Sequence, residues 1–201
     1  MTYKIPWELA GQRIAVVDVE GNGGQPPQIV EIGVLTLDQP LHPTHVSTWL
    51  VRPEMPISSV VTRKVHGISN ADVAGSPAWS EVADRVTAVL ADRVIVAHNA
   101  SIEHRVLAAH LPGWEPPLVL DTLRLARHVW PDLDGYGLDR LIAYAGLAVD
   151  EFAGQRHRAG YDSWMTARLL LTLVESSGQD WHTLVRAAVL PEFDTTKGGL
   201  W

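Results

Sequence analysis

Three acidic clusters in this chain lie beside apolar segments, where a solvated charge is out of place. Asp18 and Glu20 close the β-branched run Arg13-Ile-Ala-Val-Val-Asp-Val19. Residues two apart in an extended strand project to the same side, so these carboxylates share a face. Like charges held together repel unless a cation lies between them, and hard divalent cations take oxygen ligands. Taken singly, the pair reads equally well as a polar strand end facing solvent. The second cluster lies in Ala97-His-Asn-Ala-Ser-Ile-Glu-His-Arg-Val-Leu107, which passes from an apolar strand through a turn into a helix. Glu103 falls in the first helical turn, where the dipole favours negative charge. It serves chemistry there or merely starts the helix, and His98 reads equally as a core or capping residue. The third cluster is His157-Arg-Ala-Gly-Tyr-Asp-Ser163. Asp162 opens an apolar helix, and His157 sits on the loop before it. Imidazole titrates near neutral pH, so a loop histidine beside an attacking water can take its proton. A surface histidine and a helix-starting aspartate are the plainer alternative.

The elements that must position these groups follow from periodicity and turn chemistry. Strands are expected over 13–19, 29–37 and 46–51, separated by short or turn-like connections such as Gly21-Asn-Gly-Gly-Gln-Pro-Pro27. Short connections favour an antiparallel meander. Shorter strands are expected over 94–97 and 118–120. Helices are expected over 58–66, 79–90, 101–111, 122–130, 138–145, 162–174 and 181–189, with Ser101 as an N-cap. Strands first, then alternating helices and strands, describe a mixed sheet flanked by helices. The division expected is an N-terminal extension over 1–12, one catalytic domain over 13–190 and a loose C-terminal tail over 191–201. Four of the eight tryptophans, Trp79, Trp130, Trp164 and Trp181, fall within or at the ends of helices, so core packing is the expected role of most of them.

Composition narrows the chemistry. With 201 residues the chain can bury a full core without staples. It has no cysteine, which excludes disulfides, thiolate metal sites and cysteine nucleophiles. Neither a Gly-x-Ser-x-Gly nor a His-Glu-x-x-His motif occurs. Its longest apolar stretch, Met165 to Val174, is too short to span a bilayer and is broken by Arg168. A cytoplasmic protein without a membrane partner is expected. The formal charge of −7, without any run of Lys or Arg, disfavours a grip on long duplexes. If the chain acts on nucleic acid, that balance implies a hold on a few terminal nucleotides, with metal ions neutralising phosphate locally.

In order along the chain, the clusters resemble the DEDDh exonucleases of the DnaQ-like group, which includes polymerase proofreading subunits. The matching pattern is Asp-x-Glu on a first strand, His-Asn-Ala and an acid on a helix, then His and Asp five apart. It runs from about Arg13 to about Val174. Val65-His-Gly-Ile68 is similar to a family segment lining the site. Leu120-Asp-Thr-Leu-Arg-Leu-Ala-Arg127 and Gly137-Leu-Asp-Arg-Leu141 are similar to the family's Asp-Thr segment and to the helix before its last motif. The resemblance implies an α/β, ribonuclease H-like fold, with a five-stranded mixed sheet flanked by helices on both sides. It implies two divalent cations, Mg²⁺ or Mn²⁺, on Asp18, Glu20, Glu103 and Asp162, with His157 as general base. The implied activity is 3′–5′ exonucleolysis of DNA or RNA, releasing nucleoside 5′-monophosphates. The implied partners are a single-stranded 3′ end and a polymerase or other replication or repair protein. Gly21, Asn22, His66, His98, Asn99 and Ile102 are the expected substrate contacts. Glycines let backbone amides approach a terminal nucleotide, and apolar groups stack on any base.

Two departures stand out. Ile102-Glu103 replaces the family's usual Phe-Asp, and Gly21-Asn-Gly23 stands where many relatives have Thr-Thr-Gly. They leave open a rival reading, a catalytically weakened nuclease fold that binds oligonucleotide or a polymerase. Retention of Asp18, Glu20, His157 and Asp162 favours the enzyme.

Overall fold

A computed structural model describes residues 1–194 of the protein. Its centre is a five-stranded sheet in the order β3-β2-β1-β4-β5, built from β1 (Ile14–Gly21), β2 (Ile29–Thr36), β3 (Ser47–Leu50), β4 (Val94–Ala97) and β5 (Leu118–Asp121). The first three strands are the expected antiparallel meander, and β4 and β5 run parallel to β1. Seven helices accompany them among the described residues: α1 (Ser59–Lys64), α2 (Trp79–Leu90), α3 (Ser101–His110), α4 (Thr122–Val129), α5 (Leu138–Tyr144), α6 (Ala159–Ser177) and α7 (Trp181–Ala188).

The central strand β1 is covered on both faces, which is why its sequence is almost continuously apolar. Ile14 and Val16 point into a core formed with α4, α5, α6 and α7, where Trp164 is fully buried. Ala15 and Val17 point into a second core with α2 and α3. Continuing the alternation, Asp18 and Glu20 emerge on the α6 side, just beyond the last apolar layer.

Helix α6 can approach the sheet closely because of one glycine. A Cβ on Gly33 of β2 would lie 2.2 Å from the carbonyl oxygen of Ala159, so only glycine fits beneath the start of α6. Ser163 Oγ donates to the Gly33 carbonyl at 2.9 Å and fixes the contact. Gly33 is the register partner of Asp18. The close approach therefore occurs beside the first carboxylate.

The sequence reading needs two local corrections. Helix α6 starts at Ala159 rather than at Asp162, because the Glu31 carboxylate accepts from the Ala159 N–H at 2.8 Å and satisfies an end that local residues leave open. Ser101 is the first helical residue, not the cap; the cap position is Ala100, with no side-chain hydrogen bond. At the chain's start, Tyr3 pairs with Leu41 and Leu9 is buried in the α6-side core. At its end, Pro191–Phe193 form a 3-10 turn. From 195 onward, the expected tail lies outside the described residues. No helix among the described residues is long and apolar enough to cross a membrane.

Candidate active site

The C-terminal end of β1 carries the acidic pair, and α6 brings the third member to it. Asp18, Glu20 and Asp162 each offer a carboxylate oxygen, and these oxygens lie within 4.8 Å of one another. Glu20 and Asp162 are 8% and 9% exposed, so water screens them poorly. Desolvation comes first in pushing each carboxyl upward, with neighbouring carboxylates adding to it. Glu20 is driven up to about 8 and Asp162 to about 7, while Asp18 stands well above its ordinary range. Negative charge packed this tightly into a low-dielectric pocket calls for a cation or for protons.

Glu103 enters from the opposite face of the sheet, at the start of α3. It stands outside the cluster of three, although its charge raises both Asp18 and Glu20. Its carboxylate accepts from its own backbone N–H, and burial pushes it up to about 8. Glu103 Oε2 is buried without any hydrogen-bond partner. An orphaned buried carboxylate oxygen is costly, and a ligand that supplies positive charge would satisfy it.

His157 precedes α6 with φ 61°, a left-handed conformation uncommon for a residue with a side chain. Its backbone N–H bonds to the Asp162 carboxylate, which ties the loop to the acidic cluster. The adjacent Arg158 forms a two-pronged pair with Glu31, Nε to Oε2 at 2.9 Å and an Nη to Oε1 at 2.5 Å. Glu31 is 5% exposed and lies directly across from Glu20 in the β1–β2 register. Like charges directly opposite in a sheet destabilise it. Arg158 neutralises Glu31 and keeps it from adding a further unpaired negative charge to the site. Sequence reasoning missed Glu31, Arg158 and Gly33. Two of them were marked, Glu31 as a lone charge in the apolar run 29–37 and Gly33 as a glycine in mid-strand.

The residues expected to touch substrate divide into two groups. Ile102 is 42% exposed on a groove shared with Pro26, Pro27 and Arg105, close to Glu103. Gly21 sits at the β1–β2 irregularity beside Glu20. Asn99 is exposed with φ 64°, its N–H held by Asp121 at 2.9 Å. The others are spent inside the protein. Asn22 is 2% exposed, and its side chain closes its own loop, accepting from Gly24 and Gln28 and donating to the Met55 carbonyl. His66 accepts from Ile68 N–H at 3.0 Å, so its other nitrogen carries the proton and donates to the Gly21 carbonyl at 3.1 Å. The ring nitrogens of His98 meet Thr122 Oγ1 and the Tyr136 carbonyl, both at 2.9 Å. Burial lowers the pKa of both histidines. Their rings act as struts, with no nitrogen left for a substrate.

Residues 15–170 match the family model described as exonuclease. Over 149 residues, 73% of the chain, it is 36% identical to Exodeoxyribonuclease 10 of Escherichia coli, covering 63% of that protein. It is 30% identical to the 3′-5′ exonuclease DinG of Bacillus subtilis over 84% of its own length and 18% of DinG, and 32% identical to the PolC-type DNA polymerase III of Caldanaerobacter subterraneus over 80% of its length and 11% of that polymerase. It thus spans less than two thirds of these curated relatives. Among solved structures, Exonuclease X in complex with 5′-overhanging duplex DNA superposes with a TM-score of 0.70 at 30% identity, covering 87% of this chain and 98% of that one. Exonuclease I, at 15% identity and a TM-score of 0.67, shares the fold. With its mixed sheet, its acidic cluster and a match across most of its length, the chain belongs to the DEDDh exonuclease family of the ribonuclease H-like superfamily.

Proposed function

We propose that this protein is a metal-dependent 3′–5′ exonuclease that hydrolyses the terminal phosphodiester of a nucleic acid strand and releases nucleoside 5′-monophosphates. The observation that carries the reading is the convergence of Asp18, Glu20 and Asp162, distant in sequence, into one ring of oxygens. An all-oxygen donor set suits hard cations such as Mg²⁺ or Mn²⁺. Mutual repulsion among the carboxylates and the orphaned Glu103 oxygen both fit that occupant. Asp18, Glu20 and Asp162 would hold two such ions, with Glu103 completing the set. When bound, the ions supply positive charge to the attacking and leaving oxygens of an in-line displacement.

The chain's own residues do the rest. His157 accepts a proton from the attacking water, whose oxygen bonds to the terminal phosphorus. The bond from phosphorus to the 3′-oxygen of the penultimate nucleotide breaks, and that oxygen takes up a proton from solvent to become the new 3′-hydroxyl. Asp162 holds the His157 loop through the backbone bond described above. Gly21 lets the backbone lie close to the departing nucleotide, and Ile102 offers its apolar surface to the last base. DNA is the first substrate to test, because the Exonuclease X neighbour was solved with duplex DNA bearing a 5′ overhang. A replication or repair partner is part of this reading, supported by relatives that include PolC-type polymerases and an epsilon-like protein. So is a cytoplasmic location.

Incubation with a 5′-labelled single strand and Mg²⁺ or Mn²⁺ tests the proposal. A ladder shortening from the 3′ end is expected. Tight binding without shortening under either cation would instead identify a weakened, strand-binding relative.

A further inference from the structure

The connection between α5 and α6 carries His157 but contains no helix or strand. Something outside it must hold it. Within it, the Glu151 carboxylate meets two partners. The Tyr3 hydroxyl lies 2.5 Å from both of its oxygens, and an Arg168 Nη lies 2.5 Å from Oε2. Arg168 projects from α6 and is 7% exposed, a buried cation that requires its partner. Its guanidinium sits 3.6 Å from the centre of the Tyr3 ring and 5.8 Å from that of Trp164. The neighbouring Phe152 stacks on Trp164 at 6.5 Å. Tyr3 in turn is fastened to Leu41 by reciprocal backbone hydrogen bonds of 2.9 and 2.7 Å. Burial first, and the bond to Glu151 second, push the Tyr3 phenol up to about 12, so it remains a hydrogen-bond donor at neutral pH.

We propose that Tyr3, Glu151 and Arg168 form a strap that holds the His157 loop in register with Asp162, making the N-terminal segment part of the catalytic apparatus through positioning residues. The strap holds the loop at Glu151, ahead of the Phe152 stack on Trp164, the Arg156 pair with Asp139 and the Arg158 pair with Glu31. Between Glu151 and Arg158 runs the stretch that ends in the left-handed His157, whose N–H bonds to Asp162. The buried core of α6 does not depend on the tyrosine hydroxyl, since Trp164, Met165 and Leu169 are fully buried by other contacts. Loss of that hydroxyl therefore loosens the loop, which Arg168 still holds through Glu151, and leaves the fold intact. The inference rests on the exonuclease reading, in which His157 handles the proton.

The test uses the full chain carrying Tyr3→Phe, which keeps the ring over Arg168 and removes the hydroxyl with its bond to Glu151 and its weak, exposed contact with Met1 Sδ. Glu151→Gln is the stronger companion variant. Tyr3→Phe is expected to lower kcat about tenfold with KM within about twofold, as for a displaced reacting group. Backbone amide hydrogen exchange over 150–158 should accelerate while β1 and the middle of α6 keep their protection. On a His157→Ala background, neither strap variant should cost further activity. Full activity with unchanged exchange in Tyr3→Phe overturns the strap. So does a loss that persists undiminished without His157, because that marks a general structural role. If the unmodified chain cleaves no strand at all, the exonuclease reading fails by itself. Exchange then decides the strap, with faster exchange in Tyr3→Phe supporting it and unchanged exchange overturning it.

Discussion

Asp18, Glu20 and Asp162 lie on β1 and α6, whose approach is fixed backbone to backbone, whereas Glu103 reaches the site from α3 on the far side of the sheet. On the first side, Gly33 admits the start of α6, Ser163 bonds to the Gly33 carbonyl, and Glu31 grips both Arg158 and the first turn of the helix. Each contact restricts where Asp162 can sit. On the second side, a carboxylate one methylene longer than the family's usual aspartate folds onto its own N–H and leaves an oxygen unpartnered. The difference teaches where the site tolerates change. Carboxylate position is set by the close packing of α6 on the sheet in one half and left to a side chain folded back on itself in the other.

Asp18→Asn should break the first half most severely. It keeps the shape of the side chain and removes a charge at the centre of the cluster. Several kcal/mol of transition-state stabilisation would go with it, on the order of a thousandfold or more in kcat. Because it also relieves repulsion among buried carboxylates, the metal-free protein should melt no lower than the parent. Activity near the parent's in a single-turnover assay would remove Asp18 from the machinery.

Gly33→Ala attacks the same half through its backbone. The added carbon would meet the Ala159 carbonyl, so α6 must withdraw. Overpacking of this kind costs about 1–3 kcal/mol of stability, and a shift of the reacting groups by about 1 Å costs roughly a hundredfold in rate. Thermal melting and kcat should therefore fall together. A variant that melts lower yet keeps full kcat would show that the approach of α6 matters for folding and not for the site.

Much of this arrangement was legible beforehand. The acidic clusters, the element order and the meander could all be read because they depend on residue type, alternation and local turns. The buttressing could not. Glu31 and Arg158 are 127 residues apart, and no periodicity links a strand glutamate to a loop arginine. The struts were hidden for a related reason. His66 and His98 look like site residues in sequence because they flank the right motifs, but their ring nitrogens are claimed by partners that only the tertiary fold supplies.

The protonation of the cluster offers a measure of both halves together. Asp162, Glu20 and Glu103 have folded-state values near 7 to 8, well above their ordinary values. The metal-free folded protein thus holds protons that the unfolded chain has already released, and its stability falls as pH rises towards and through about 8. Buried His66 and His98, with lowered values, oppose this below about pH 6.5. The clean window is therefore pH 7 to about 8.5. There the melting temperature in EDTA should drop by several degrees, each kcal/mol being worth about 2–4 °C for a chain of this size. Added Mn²⁺ should restore more at pH 8 than at pH 7, since metal binding displaces protons. A flat or rising profile in EDTA would mean that the carboxylates do not share the burden as their geometry implies.

Glu103→Asp carries the smallest expected effect and sharpens the comparison most. The substitution withdraws the carboxylate by about 1.5 Å, one carbon–carbon bond. On the rigid side such a change would be ruinous. On the α3 side the glutamate already curls back onto its own N–H, so an aspartate places its charge in much the same region. A change in kcat of no more than about fivefold is expected, equivalent to about 1 kcal/mol. Glu103→Gln, which keeps the length and removes the charge, should cost more than Glu103→Asp. A titration of kcat against Mn²⁺ for the three proteins separates the cases. If the aspartate variant exceeds the parent more than tenfold, the glutamate is a handicap and α3 is the weak wall of the site. If the glutamine variant equals the parent, three carboxylates suffice and the comparison between the halves no longer describes catalysis.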